Sequence, residues 1–262
     1  MPAFDAFAPT YDRDFTHSPI AWGLRQRAQT RLELYFNHSQ TILELGCGTG
    51  EDAASLAMRG VNVIATDASP AMLEVARAKA NGLPIQFATL DLTNLPDTEF
   101  LGQVDGVLAN FGVLNVLAEW ETLAAWLAAR VRAGGVVAFA VMSPYCVWEL
   151  LWHGLHGDFA TATRRWRHAA HFQASADSPP ILIYYPRPRR LIADFSPYFT
   201  PVHLAPLGIA LPPSDVYGVI EKRPRLLQRL TALDETLSAY PLLAPLADHY
   251  WIELQRTDVP AP

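Results

Sequence analysis

An alternation of two periodicities through the first half of this 262-residue chain restricts its fold more than any other feature. Short apolar runs rich in Val and Ile lie at residues 41–47, 62–67, 85–91, 104–111 and 136–142. Stretches rich in Ala and Leu with helical spacing separate them, at 51–59, 70–80 and 119–132. Continuous apolar runs are typical of parallel strands covered on both faces. Strands that alternate with helices in this way predict a doubly wound α/β sheet.

The second half of the chain is less regular. We expect an insertion over 145–190 that opens with a helix at 147–155, and a second helical insertion over 212–246. A helix at 190–195 and strands at 202–210 and 251–255 complete a seven-stranded, Rossmann-like sheet. Residues 1–37 are predicted to form an N-terminal helical lid, and the whole chain, residues 1–262, a single domain.

Composition and charge exclude several classes of protein. The chain is 50% hydrophobic and 18% charged, which is typical of a globular protein. No apolar run approaches the roughly 18 to 20 residues that a membrane span needs, and the acidic, proline-bearing start does not resemble a signal peptide. We therefore predict a cytoplasmic protein. A net charge of −6 disfavours nucleic acid as a partner. Two cysteines, Cys47 and Cys146, support neither a disulfide framework nor a structural zinc site.

A glycine-rich turn and two aspartates are the residues that indicate a ligand. Gly46, Gly48 and Gly50 follow the first strand directly and precede a helix, where their missing Cβ atoms let the backbone approach a ligand closely. Asp67 ends the second strand, and an acid at that position accepts hydrogen bonds from the hydroxyls of a ribose. Asp91 ends the third strand, where its carboxylate and the amide of the following residue are suited to the edge of adenine. Together they predict a nucleoside site.

The spacing of the glycines bears on which nucleoside cofactor is bound. The dinucleotide fingerprint is G-x-G-x-x-G, whereas this turn is G-x-G-x-G and is followed by Glu51. A carboxylate at the start of the helix would repel a pyrophosphate. A cofactor without phosphates fits better than NAD, although an NAD-dependent oxidoreductase stays open as an alternative.

Four segments then resemble, in order and spacing, the motifs of class I S-adenosylmethionine-dependent methyltransferases. They are ILELGCGTG at 42–50, VIATDAS at 63–69, FATLDLTNLP at 87–96 and DGVLANFGVLN at 105–115. The opening FDAFAPTYD, at 4–12, is similar to the N-terminal segment of the bacterial small-molecule branch of that family, the methyltransferase domain 11/25-like branch, which includes quinone-type methyltransferases. The resemblance implies S-adenosyl-L-methionine as the cofactor and methyl transfer as the activity.

The resemblance also implies roles for individual residues. Those that would surround the methionine portion are Glu44, Gly46, Cys47 and Gly48. Those that would hold the ribose and adenine are Asp67, Ala68, Met72, Asp91 and Leu92. Asn110 and Phe111 would lie beneath the sulfonium at the end of the fourth strand, and Tyr11 would close over the cofactor.

Methyl transfer from a sulfonium requires no protein nucleophile, so the protein has to align an acceptor and exclude water. A general base is optional, and the candidates are His17 near the lid and His168 and His171 in the insertion. With Tyr11, we name His17 and His171 as candidate catalytic residues. The N-P-P-Y type sequence of adenine methyltransferases is missing after Asn110, and no metal-holding pattern of Asp and Asn is visible, so neither DNA nor a metal is expected.

The insertion over 145–190 is the candidate for recognising the acceptor. Between residues 158 and 190 it carries aromatic side chains and an excess of basic ones, namely Arg164, Arg165, Arg167, Arg187, Arg189 and Arg190. We predict a small-molecule acceptor that is apolar or aromatic, with an arginine available to pair an acidic group on it. A non-catalytic S-adenosylmethionine-binding protein stays open as an alternative, and the expected assembly is a monomer or homodimer.

Overall fold

The computed structural model of the chain describes residues 4–96, 102–173 and 180–258. The strands of its main sheet and of a separate hairpin are β1 (Thr41–Leu45), β2 (Asn62–Asp67), β3 (Ile85–Thr89), β4 (Val104–Ala109), β5 (Val131–Met142), β6 (Ala169–Phe172), β7 (Ile181–Tyr184), β8 (Phe199–Leu207) and β9 (His249–Arg256). The seven-stranded sheet has the order β3-β2-β1-β4-β5-β9-β8, and β6 pairs with β7 alone. The fold class predicted from the sequence, a doubly wound seven-stranded Rossmann-like sheet, is confirmed.

The direction of the strands fixes where a ligand can bind. Strands β1 to β5 run parallel, and β9 is antiparallel to both of its neighbours, β5 and β8. The strand order reverses between β1 and β4, and the crevice outside the carboxyl ends of the strands at such a point is where open α/β sheets bind ligands. The antiparallel β9 begins at that same edge, because it runs in the opposite direction.

Helices cover both faces of the sheet. They are α1 (Pro19–Leu32), α2 (Glu51–Met58), α3 (Pro70–Ala80), α4 (Glu121–Ala128), α5 (Val147–Leu155), α6 (Phe159–Ala162), α7 (Pro188–Phe195), α8 (Tyr217–Glu221) and α9 (Pro224–Leu237). Successive residues of the central strands enter opposite cores, since side chains alternate along a strand. Val137 and Phe139 pack with α4 and α7, whereas Ala138 and Ala140 pack with α1 and α2.

Local sequence signals predict the helix ends correctly where capping residues are present. The hydroxyl of Ser69 accepts a hydrogen bond from the amide of Met72 (3.2 Å), and Pro70 occupies the first turn, as is typical of a helix start. At the other end of α3, Asn81 adopts the left-handed conformation that closes a helix. The predicted boundaries of this helix, 70–80, are confirmed.

Several predicted boundaries differ from the structure, and two of them have a clear physical reason. The helix expected over 119–132 ends at Ala128, and Val131 already belongs to β5, where it pairs with Val104 before a shift of register. The strand expected over 202–210 spans Phe199–Leu207 and contains Pro201 and Pro206. Prolines are tolerated there because β8 is the edge strand of the sheet, whose outer side needs no amide donors.

The first insertion contains a feature that the sequence analysis missed. Helix α5 has the predicted boundaries, but the β6–β7 hairpin follows it in a region predicted as an arginine-bearing segment and a loop. Residues 174–179 of this insertion, including Asp177, and residues 1–3 of the predicted lid lie outside the described residues. Within the described part of the chain, no helix combines the length and the apolar character needed to cross a bilayer.

Candidate functional site

A cavity of about 470 Å³ opens at the carboxyl edge of the sheet, at the strand-order reversal. Its floor is formed by residues that follow β1 and β2, among them Gly46, Gly48, Asp67 and Ala68. Residues that follow β3 and β4 form one side, and the N-terminal segment and β7 form the cover. The cavity is therefore built at the carboxyl ends of β1 to β4, under a cover from the N-terminal segment and β7.

The glycine turn forms the floor of the cavity in a left-handed backbone conformation, which costs residues other than glycine conformational energy. Gly46 has a φ of +61° and Gly48 a φ of +54°. A Cβ on Gly46 would lie 2.6 Å from the side chain of Val113, so the position is closed sterically as well. A Cβ on Gly48 would meet only Tyr11, at 3.9 Å, since this glycine faces the open cavity. The turn thus presents bare backbone to a ligand.

Asp67 lies beside this turn and is held by backbone amides. Its Oδ2 accepts a hydrogen bond from the amide of Gly48 and its Oδ1 one from the amide of Ser69, both at 2.8 Å. Burial raises the pKa of Asp67, and these amides oppose the rise without cancelling it. Each oxygen keeps a second lone pair. The carboxylate is therefore positioned to accept from two neighbouring hydroxyls, which is the pattern that a ribose offers.

An apolar slot adjoins Asp67 on the side of β3. Met72 and Leu92 are buried and Ala68 is exposed, and all three line the cavity. Asp91 lies at the rim, where its Oδ1 accepts hydrogen bonds from the amide (2.9 Å) and hydroxyl (2.7 Å) of Thr93. A flat apolar slot with a carboxylate at its edge suits an adenine ring. These residues fit the nucleoside part of S-adenosylmethionine.

Three predicted cofactor residues do not line the cavity, namely Glu44 in β1, Cys47 within the glycine turn and Asn110 directly after β4. Glu44 is buried, and its pKa is raised well above the usual value, chiefly because burial disfavours the charged form. Cys47 is buried, and burial also raises its thiol pKa. Asn110 donates from Nδ2 to Asp52 Oδ2 (3.0 Å), and its Oδ1 accepts from the amide of Phe111 (3.1 Å). Their contact with the cofactor stays a prediction.

The network beneath the turn was not predicted from the sequence. Arg25 forms an ion pair with Asp52, and Gln29 Nε2 donates to the other oxygen of Asp52 at 3.1 Å. The Arg25 guanidinium lies 4.9 Å from the centre of the Phe111 ring. Helix α1 thereby connects the predicted lid to the end of β4, where Phe111 lines the cavity.

The N-terminal segment covers the cavity and is attached by polar contacts. Tyr11 lines the cavity, and its pKa is raised, mainly by burial. The next residue, Asp12, accepts from the Thr49 hydroxyl at 2.6 Å and forms an ion pair with Lys79 at 2.7 Å. Residues 12–16 form a single π-helical turn, a feature that is frequent at functional sites.

The structure does not bring the other two candidate catalytic residues to this cavity. His17 is exposed and lines a second cavity of about 500 Å³, beside Trp22 and Arg25. His171 is exposed on β6, and the neighbouring candidate base His168 is exposed with a φ of +66°. Nothing in the geometry of these histidines assigns them a role in catalysis.

The β6–β7 hairpin supplies part of the cover that sequence reasoning missed. Ile181–Tyr184 line the cavity, and Asn115 Nδ2 donates to the Tyr184 carbonyl at 2.5 Å. The ring of Phe172 stacks on that of Phe4, with 6.1 Å between centroids. The run of β-branched and aromatic residues at 181–185 is the signal that would have predicted a strand.

Two of the arginines predicted to recognise the acceptor instead form ion pairs within the protein. Arg164 and Arg165 both pair with Glu149, at 2.5 and 2.7 Å, and Arg165 also pairs with Asp248 at 2.6 Å. Arg165 and both carboxylates are buried. Further along, Arg190 pairs with residues of α4 and α7. The prediction that these arginines face the acceptor is corrected: their partners are fixed carboxylates of the fold.

Comparison with known proteins agrees with this geometry. Residues 42–135 match the family described as Methyltransferase domain. A demethylmenaquinone methyltransferase of Clavibacter sepedonicus is 35% identical over 117 residues, which cover 44% of this chain and 46% of that protein. The chain spans about half the length of the first curated relatives it matches.

Solved structures show the same fold over nearly the whole chain. An S-adenosylmethionine-dependent methyltransferase from Clostridium acetobutylicum superposes with a TM-score of 0.63, at 12% identity, over 98% of this chain and 100% of that one. The structure described as a DhpI–SAH complex superposes with a TM-score of 0.59, at 17% identity, over 98% and 94%.

The sheet order defines a Rossmann-like α/β fold, and the glycine turn and the two strand-end aspartates lie together at the carboxyl edge of its sheet. Residues 42–135 match a methyltransferase domain family, and the fold is that of solved S-adenosylmethionine-dependent methyltransferases. The cofactor of that class is S-adenosyl-L-methionine.

Proposed function

We propose that this chain is an enzyme that transfers a methyl group from S-adenosyl-L-methionine to a small-molecule acceptor. The observation that carries the proposal is Asp67, whose two oxygens are fixed by the amides of Gly48 and Ser69 beside the bare backbone of the turn. When bound, the cofactor supplies an activated methyl group on a sulfonium. The domain boundaries, the cytoplasmic location and a monomeric or homodimeric state belong to this proposal.

In this proposal the residues of the chain bind and orient the cofactor and shield it from water. Asp67 accepts the ribose hydroxyls, and Met72 and Leu92 enclose the adenine. Gly46 and Gly48 let the methionine portion approach the backbone. Tyr11 and the β7 strand exclude water from the cavity. Alignment of an acceptor with the methyl group contributes about 7 to 11 kcal/mol in well-oriented systems, so the protein needs no nucleophile of its own.

The acceptor is proposed to be apolar or aromatic. The cavity cover is rich in such surface, including Phe4, Phe111, Val113 and Ile183. The curated relative from Clavibacter sepedonicus is named for demethylmenaquinone, a name that is compatible with such an acceptor. Such an acceptor has to be small enough to fit beside the cofactor in a cavity of about 470 Å³.

Glu51 favours this cofactor over NAD. It begins α2 directly after the glycine turn, and its carboxylate is 3.2 Å from Lys79 Nζ. A pyrophosphate at this helix start would meet that carboxylate instead of free amides. The NAD-dependent oxidoreductase therefore becomes the alternative that a binding experiment has to exclude.

Titration calorimetry with the purified chain tests the proposal. S-adenosylhomocysteine is expected to bind with a micromolar Kd and NAD not to bind in the same range. Binding of NAD alone would overturn the proposal. A panel of phenols, quinols, amines and hydroxy acids, incubated with S-adenosylmethionine and analysed by mass spectrometry, then tests turnover. Binding without turnover on any acceptor would favour a non-catalytic S-adenosylmethionine-binding protein.

A further inference from the structure

The cavity has two parts whose linings differ in charge. The part next to β1, β2 and β3 contains Asp67 and Asp91, which carry the only charges among the described residues that line the cavity. The other part is bounded by the residues after β4 and by strand β7. The hydrocarbon side chains that line it are Phe111, Val113, Val116, Ile181, Leu182 and Ile183. We call this second part, defined by these six residues, the apolar subsite.

The cavity offers no cation to an acidic acceptor in the part of the chain that the structure describes, since no lysine or arginine is among its lining residues. Arg187, which follows β7 closely in sequence, donates instead to Tyr145 Oη at 2.6 Å. An ionised group in the apolar subsite would lose its water without gaining an ion-pair partner, and that loss is costly. The subsite is therefore suited to an uncharged molecule.

Asn115 joins the two walls of the apolar subsite. It is fully buried within a 3₁₀ helix, Val113–Val116, that follows β4. Its Oδ1 accepts from the amide of Met142 at 2.9 Å, and its Nδ2 donates to the carbonyl of the same residue at 3.2 Å. Nδ2 also donates to the carbonyl of Tyr184, the last residue of β7, at 2.5 Å. One side-chain amide therefore attaches β7 to the end of β5.

The chemistry of this junction requires an amide side chain. It needs an acceptor for one N–H group and donors for two carbonyls, and only the amides of asparagine and glutamine combine a carbonyl oxygen with two N–H donors. A carboxylate has no donor, and a leucine side chain of similar size has neither a donor nor an acceptor. Replacement of Asn115 by leucine therefore removes the junction at nearly constant volume.

The junction acts on the subsite through the residues next to Tyr184. Ile183 precedes it directly and is buried, and Ile181 lies on the same face of the hairpin, since side chains alternate along a strand. Phe172, which pairs in register with Ile181, stacks on Phe4 with 6.1 Å between ring centroids. Strand β7 is thereby held at its end by the asparagine amide and at its start by an aromatic contact.

We infer that Asn115 is a positioning residue that sets acceptor specificity, because it holds Ile181 and Ile183 against an acceptor that carries no ionised group. The inference rests on the proposed function and deepens it, since it assigns the acceptor to the apolar subsite of the same cavity. Asn115 is not among the lining residues and acts through β7. Ile183 contacts the acceptor and limits its size.

The first experiment compares two fluorescent probes that differ by one charged group. N-phenyl-1-naphthylamine is uncharged, and 1-anilinonaphthalene-8-sulfonate is the same ring system with a sulfonate. In the chain saturated with S-adenosylhomocysteine, the uncharged probe is expected to bind at least about tenfold more tightly, because the sulfonate meets no cation in the subsite. Equal affinity, tighter binding of the sulfonate or no binding of either probe would overturn the inference.

Two variants locate the bound probe. Val116→Phe fills part of the apolar subsite and should weaken binding of the uncharged probe at least about tenfold. The matched control, Leu155→Phe, lies at an exposed position of α5 and should leave that binding unchanged. Equal probe affinities in the two variants would contradict the subsite. Failure of S-adenosylhomocysteine to bind the unmodified chain would instead overturn the proposed function.

The role of Asn115 is tested with the same probe in Asn115→Leu, and Asn37→Leu at an exposed position is the control. Asn115→Leu should weaken binding of the uncharged probe about tenfold and leave the Kd of S-adenosylhomocysteine within about twofold, because β7 borders the apolar subsite. Unchanged probe binding, or an equal loss of affinity for both ligands, would overturn a positioning role. Asn115→Ser, which keeps one donor, carries the test if Asn115→Leu does not fold.

The second experiment uses two acceptors from the turnover panel that differ in size by one methyl group. Asn115→Leu and Ile183→Ala should both raise kcat/KM for the larger acceptor relative to the smaller one by about fivefold or more, mainly through KM. A residue that only stabilised the fold would lower activity on both acceptors alike. An unchanged ratio in the Asn115 variant would therefore contradict the inference.

Discussion

Asp67 and Asp248 both lie at the carboxyl edge of the sheet, but their surroundings differ. Asp67 accepts hydrogen bonds from backbone amides, and burial raises its pKa. Asp248 is paired with Arg165 and contacts His249, and its pKa is lowered. A carboxylate that accepts only from neutral amides keeps lone pairs with which it can bind a ligand. A carboxylate that is already paired with a guanidinium stabilises the fold instead.

The same difference separates two larger regions. The first half of the chain exposes glycine backbone and Asp67 to a cavity. The first insertion instead uses its charges internally, since Glu149 and Asp248 compensate Arg165. An excess of arginines in sequence is therefore a poor guide to ligand recognition until their partners are known.

Removal of the buried guanidinium should have the largest effect on stability. Arg165→Met leaves Glu149 and Asp248 buried without their main partner, and we expect a loss of about 3 to 5 kcal/mol in the free energy of unfolding. The matched control is Arg167→Met at an exposed position, with a change within about 0.5 kcal/mol. Urea unfolding followed by tryptophan fluorescence measures both. Similar losses in the two variants would contradict the structural role of Arg165.

Acidification should lower the free energy of unfolding through the buried carboxylates of Glu149 and Asp248. The pKa of Glu149 is lowered, because two arginines outweigh the effect of burial, and that of Asp248 is lowered as well. Lowered carboxylate pKa values contribute stability that is present above the unfolded value of about 4 and is lost as pH falls below it. We expect a loss of about 2 kcal/mol or more between pH 6 and pH 3.

In Arg165→Met the dependence of stability on pH should be shallower, because the cation that lowers both pKa values is missing. Urea unfolding at a series of pH values measures the two slopes. Equal slopes would show that acid sensitivity arises elsewhere in the chain.

The ligand side of the comparison is tested at Asp67. Asp67→Ala should weaken S-adenosylhomocysteine binding by about 10- to 100-fold, since a hydrogen bond to a charged group contributes about 1.5 to 3 kcal/mol. The control Asp105→Asn removes a carboxylate from the opposite end of the sheet, where it accepts from the amide of Thr41. Calorimetry should show unchanged affinity there. An unchanged Kd in Asp67→Ala would contradict the proposed ribose contact.

The smallest effect is expected from the glycine turn. Gly46→Ala places a Cβ against Val113 at a φ of +61°, and the left-handed conformation alone costs about 1 to 2 kcal/mol. Gly154→Ala, inside α5 with open space around it, should stabilise the chain by up to about 1 kcal/mol. Thermal unfolding of the two variants measures the difference. A stabilising Gly46→Ala would contradict the strained turn.

The sequence allowed much of the fold and part of the site to be predicted, because those features are local. Strand β2 and helices α3 and α5 have the predicted boundaries. The signals that predict them, apolar periodicity and the Ser69–Pro70 helix start, depend only on residues that are close together in the sequence. Gly46, Gly48 and Asp67 were found for the same reason, as each follows a recognisable strand and lines the cavity.

Tertiary structure alone decided which distant groups meet. Whether Arg165 faces a ligand or Glu149 depends on how the insertion folds back on β9, and no local pattern records that pairing. His249 meets Phe111 only because β9 runs antiparallel beside β5 and begins at the carboxyl edge of the parallel strands. Periodicity and turn chemistry act over a few residues, and so the sequence by itself determined the sheet and its glycine turn. Charge compensation and ring contacts act through space, and so they required the folded chain.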